Sequence, residues 1–139
     1  MKTYLKTFIL FLVTLLSVNA YAEITVLSSS VKASSDGDEG QISIRLRNDD
    51  RYDVYLTSAH SPATAKVIFE SLETVDGVEM MVEQDRLLLP GEQIVTLAGD
   101  QHRLLLVEPK RPLSKGSTID LSLSLSNGKT LNIDVPVIE

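Results

Sequence analysis

The chain of 139 residues contains no cysteine, which excludes a disulfide framework and any thiolate metal site. Imidazole is nearly as scarce, with two histidines, His60 and His102. Positive charge is in deficit: 13 Lys and Arg face 19 Asp and Glu, a formal net charge of −6. That balance argues against nucleic acid and against anionic lipid, because both demand a cationic surface. Catalytic motifs are missing as well. There is no Gly-x-Ser-x-Gly elbow, no phosphate-binding glycine loop and no cysteine nucleophile, so the chain reads as a non-enzyme. Internal repeats, low-complexity linkers and heptads are likewise absent after the leader.

What is present begins with an address. Lys2 and Lys6 flank a basic start, Phe8 to Leu16 is apolar except for Thr14, and Ala20-Tyr21-Ala22 supplies a small-x-small cleavage pattern. Residues 1–22 therefore read as a secretory signal cleaved after Ala22. The apolar run is too short to span a bilayer, which needs about 20 residues, so no membrane attachment is expected once the signal is removed. Residues 23–139 form a single domain. Loss of Lys2 and Lys6 takes the formal charge from −6 to −8. Export without cysteine fits a bacterial periplasmic protein.

Short alternating runs bounded by turn residues dominate the mature part, the pattern of an all-β sandwich or barrel. Ile24 to Ala33 predicts a serine-rich first strand near an edge. Ser34 to Gly40 is rich in glycine and acids and reads as a solvated turn, since it lacks the later glutamate of a calcium loop. Gln41 to Arg47 alternates strictly, with Ile42, Ile44 and Leu46 facing the core. Further strands are expected around Val54 and Leu56, at Lys66 to Leu72, Val78 to Glu83, Arg86 to Leu89, Gln93 to Leu97 and Leu104 to Leu106. Near the C-terminus, Leu121, Leu123 and Leu125 alternate with serines, and Leu131, Ile133 and Val135 alternate opposite them. A two-residue Asn127-Gly128 loop would set every leucine against a polar partner. A three-residue loop Ser126-Asn127-Gly128 instead pairs Leu123 with Leu131 and Leu121 with Ile133. Pro136 suits the end of an edge strand. Eight to ten strands without a normal helix predict a Greek-key-like sandwich with binding loops clustered at one end.

The soft metal ligands after the leader are Met80, Met81, His60 and His102. Thioether and neutral imidazole together suit Cu(I). Consecutive residues of a strand point to opposite faces, so at most one of Met80 and Met81 is core and the other remains to be explained. His102 heads the apolar run Leu104-Leu105-Leu106, a place where a buried strand needs no imidazole.

The order of short motifs resembles the periplasmic copper chaperone family PCu(A)C. The matching residues are Ile42 to Asn48, Ser61-Pro62-Ala63, Val67 to Glu70, and Gly77-Val78-x-x-Met81. Leu89-Pro90-Gly91, Gly99-x-x-His102, Lys110-Arg111-Pro112-Leu113 with Gly116, and Val135-Pro136-Val137 complete the match. The resemblance implies a cupredoxin-like β-sandwich and a Cu(I) site of two histidines and two methionines: a His, a Met eleven positions on, then a His-x-Met pair. Carried over, Met81 and His102 occupy two ligand positions, while Glu70 stands for the first His and Leu104 for the last Met. Met80, His60 and Glu70 are the accessory candidates. Glu70 with His102 would instead favour a harder ion such as Cu(II) or Zn(II), and a fold that has lost its metal would serve as a binding or structural module. The implied partner is a copper-accepting oxidase subunit or another periplasmic copper protein.

Overall fold

The computed structural model describes residues 23–34 and 39–139. The leader 1–22 and most of the acidic turn lie outside the described residues. Ten strands follow in order: β1 (Ile24–Lys32), β2 (Gly40–Asn48), β3 (Val54–His60), β4 (Thr64–Val75), β5 (Val78–Gln84), β6 (Leu87–Leu89), β7 (Ile94–Leu97), β8 (His102–Pro109), β9 (Thr118–Leu125) and β10 (Thr130–Ile138). They run β5-β4-β8-β2-β1-β10-β9-β3-β6 in space, with β7 beside the second half of β2. The sheet folds over at β1–β10 into a β-sandwich. Inward apolar side chains of β2, β4 and β8 then meet those of β3, β9 and β10 in one core, from Ile42, Ile44 and Phe69 to Leu121, Leu123 and Val135.

Alternation explains each layer. Ile42, Ile44 and Leu46 are at most 1% exposed while Arg45 and Arg47 lie outside. The C-terminal hairpin has the register that hydrophobic matching requires: Leu123 pairs with Leu131 and Leu121 with Ile133. Leu125 N–H donates to the Lys129 carbonyl, enclosing Ser126-Asn127-Gly128, and Gly128 takes φ 87°, which a residue without Cβ adopts at little cost.

Two expectations about edges change. β1 lies between β2 and β10, yet its ladder with β10 pairs only Val31 and Lys32. Its serine-rich half, from Ile24 to Ser30, is paired on the β2 side alone, so serine there follows from one open flank of an interior strand. β10 is interior too. Val137 N–H donates to the Ser117 carbonyl, so the neighbouring Pro136 turns its nitrogen away from β9 and costs that ladder no bond.

Candidate functional site

The region carrying Glu70, Met80, Met81 and His102 is the β5-β4-β8 flank. β4 and β5 form a hairpin closed by Asp76-Gly77, both at positive φ (52° and 80°), with Val75 paired to Val78. This is the tight two-residue turn whose twist suits a hairpin. It fixes the register of every rung behind it: Glu73 with Met80, Leu72 with Met81, Ser71 with Val82, Glu70 with Glu83. On its other side β4 pairs with β8, Ser71 with His102, Glu70 with Arg103 and Phe69 with Leu104.

Directly paired residues project to the same face, so these rungs sort the candidates into two sets. Phe69 and Leu104 are core residues, 4% and 0% exposed. Ser71, His102, Val82, Glu73 and Met80 share their face and continue it beyond the core. Glu70, Arg103, Leu72 and Met81 belong to the outer face. Met81 and His102, the two ligands carried over from the resemblance, are thus placed on opposite faces of the sheet. A slip of one residue exchanges the faces of a strand, and Met80-Met81 is a site where spacing alone leaves that choice open.

Each face has its own electrostatics. On the inner face, Ser71 Oγ lies 2.8 Å from His102 Nδ1 and fixes the ring, leaving Nε2 without a protein partner among the described residues. Partial burial holds the imidazole below its usual titration range and favours the neutral form that binds metal. Met80 is 47% exposed toward the hairpin tip. Gln84 Nε2 donates to Glu73 Oε2 across the intervening rungs, so the hairpin curls toward this face. β5 and β8 flank β4, and Met80 and His102 are offset by two rungs. Their backbones are therefore roughly 12 Å apart, at about 4.8 Å per strand and 3.3 Å per residue.

On the outer face, Arg103 Nε donates to Glu70 Oε1 at 2.7 Å, and the two side chains are 29% and 16% exposed. The Glu70 carboxylate is therefore committed to a guanidinium rather than open to a cation. His60 is elsewhere: it pairs with Ser122 at the end of β3. From Thr64, where β4 begins after His60, the chain needs seven residues to reach Ser71, roughly 23 Å at about 3.3 Å each. No group of three or more His, Asp or Glu side chains is placed to hold a metal among the described residues. Ser71 and Arg103 are the two contributors that sequence reasoning passed over. Arg103 follows His102 directly, and strand parity was the signal that could have singled it out.

The fold is that of PCuAC domains. The chain superposes on the copper-bound PCuAC domain from PmoF2 with TM-score 0.68 and 18% identity, covering 85% of this chain and 97% of that one. The apo PCuAC domain from PmoF1 gives TM-score 0.69 at 17% identity, over 84% and 98%. The Cu(I) form of DR1885 from Deinococcus radiodurans gives 0.61 at 24% identity, over 86% and 81%. No curated protein matches the chain. The chain belongs to the LpqE-like family, described as "Putative lipoprotein LpqE-like", whose profile matches residues 19–137. The sequence itself holds no cysteine that could carry a thiol-linked lipid.

Proposed function

We propose that this protein is a non-enzymatic copper chaperone, exported to the periplasm by cleavage after Ala22. It carries Cu(I) weakly on a reduced soft-ligand pair. Support comes from the fold shared with PCuAC domains, two of which are named for bound copper. The observation that carries the reading is His102: its Nδ1 is tied to Ser71, burial lowers its affinity for a proton, and its Nε2 has no protein partner among the described residues. Met80, on that same face, replaces Met81 as the companion sulfur. Imidazole and thioether suit the soft monovalent ion, and so few protein ligands make release by ligand exchange easy. By resemblance, the acceptor is an oxidase subunit under assembly or another periplasmic copper protein.

A second reading, a metal-independent binding module, is favoured by the Glu70–Arg103 ion pair. That pair fills the position the resemblance gives to a metal ligand. Anaerobic Cu(I) titration against a competing chelator separates the two. The first reading expects one ion per chain, loss of binding in His102→Ala and at least about tenfold weakening in Met80→Leu, equivalent to about 1.4 kcal/mol. Met81→Leu should change nothing. If Met81→Leu weakens binding and Met80→Leu does not, the assignment by face is wrong. If the wild-type chain binds no tighter than His102→Ala, the metal-independent reading stands.

A further inference from the structure

At the opposite end of β8 the chain leaves Pro109 into Lys110-Arg111-Pro112-Leu113, a motif that the metal reading does not use. Together with Pro62, Ala63 and the start of β9 this turn encloses a groove of about 670 Å³. That volume is within the range of a ligand cleft. Its apolar floor includes Leu113 and Ile119, 5% and 7% exposed. Its cationic rim is unusual for so acidic a chain. Lys110 and Arg111 are exposed, and neither side chain forms an ion pair or hydrogen bond among the described residues.

One wall of the groove is an unfinished sheet ladder. Leu125 and Ser117 bond toward β10 and its C-terminal end, so odd-numbered residues of β9 face β10 and even-numbered ones face β3. The β3 ladder stops at His60 with Ser122, because Ser61-Pro62-Ala63 turns the chain away. Thr118 and Asp120 therefore direct backbone N–H and C=O groups past the end of β3, and both residues line the groove. Such unpaired backbone groups are a template for another strand.

The geometry points to a docking site in which an extended acidic segment of a partner protein lies in this groove. The segment adds a short strand against Thr118 and Asp120, sets its carboxylates against Lys110 and Arg111, and seats apolar side chains over Leu113 and Ile119. Backbone pairing supplies affinity in this mode, while side-chain pockets and charge supply selectivity. Among the described residues Asp120 is the one acid lining the groove; it opposes such a partner and limits affinity. The site is roughly 25 Å from His102 at about 3.3 Å per residue along β8. It does not rest on the copper reading.

The test uses the mature chain and a synthetic octapeptide of alternating glutamate and valine, followed through backbone amide shifts. Saturable shifts at Thr118 and Asp120 are expected, along with at least tenfold weaker binding in the Lys110→Glu/Arg111→Glu variant and tighter binding in Asp120→Asn. The same peptide with N-methylated alternate residues, which cannot complete the strand, should bind at least tenfold more weakly. Absence of shifts at Thr118 and Asp120 up to millimolar peptide overturns the proposal. So does equal binding of a lysine–valine octapeptide. Displacement of the acidic peptide by an equal concentration of citrate would show a small-anion site and overturn it too.

Discussion

The two faces of the β5-β4-β8 flank are made from alternate residues of the same three strands, and they have opposite chemistry. The inner face runs outward from Phe69 and Leu104 through Ser71 and His102 to Met80 and Glu73, so an apolar core grades into an imidazole and a thioether beside a carboxylate that Gln84 caps. The outer face is closed by a carboxylate and a guanidinium, with Met81 beside them. A carrier of a soft cation needs neutral polarisable donors and no adjacent positive charge. The inner face carries no cationic side chain among these rungs, whereas Arg103 stands on the outer face. Two residues adjacent in sequence, Met80 and Met81, can thus differ wholly in what they are able to do.

The largest effect that breaks the comparison is Leu104→Ala. Leu104 is 0% exposed at the inner root of the site, so the truncation leaves a cavity and should cost about 2–5 kcal/mol in denaturant unfolding. Because Leu104 shares its face with His102, Leu104→Met keeps the volume, should cost less than about 1.5 kcal/mol, and adds a second sulfur on that face. Tighter Cu(I) binding in Leu104→Met, with no change in Leu105→Met, would confirm the face assignment. The reverse outcome would sink it.

The outer face gives the next effect. Arg103→Ala leaves the Glu70 carboxylate, 16% exposed, without its charged partner, and should lower stability by about 1–3 kcal/mol. Glu70→Gln in the Arg103→Ala background should recover part of that loss, because the stranded charge is removed. A double-mutant cycle by urea unfolding measures the coupling. A coupling below about 0.3 kcal/mol would mean the pair is held by solvent-screened attraction alone.

The sandwich, its strand count and the C-terminal hairpin were legible because each rests on period-2 alternation of apolar residues. The leucine–serine alternation of β9 left one register open, and the chain adopts it. The site was harder to read for a local reason. Beyond the core at Ser71 and Leu72 both faces of β4 are partly exposed, so burial no longer says which residue points where. Spacing singled out Met81 and His102, but the Asp76-Gly77 turn decides the faces, and it sets Met80 rather than Met81 on the side of His102. The serines of β1 misled in a related way: a strand can be interior over two residues and open over the rest. Arg103 carried no motif at all. Strand parity could assign it to the face opposite His102, but its partner Glu70 is set by a long-range pairing that no local pattern encodes.

The smallest perturbation tests the two faces without altering the fold. Met80 is 47% exposed and Met81 is half-buried, so dilute peroxide should convert Met80 to the sulfoxide several-fold faster, since susceptibility of a thioether follows its access to oxidant. Oxidation at an exposed tip removes little buried area, so the melting temperature should barely move. The consequence for the ion is larger, because the sulfur lone pairs that would bind copper are consumed or made hard. Peptide mapping by mass spectrometry after timed exposure gives both rates in one experiment. Adding one equivalent of Ag(I), a soft monovalent ion that stands in for Cu(I) without one-electron cycling by peroxide, should slow Met80 and leave Met81 unchanged. Equal protection of both sulfurs would require the hairpin to turn Met81 toward His102, a reversal of register that the Asp76-Gly77 turn opposes.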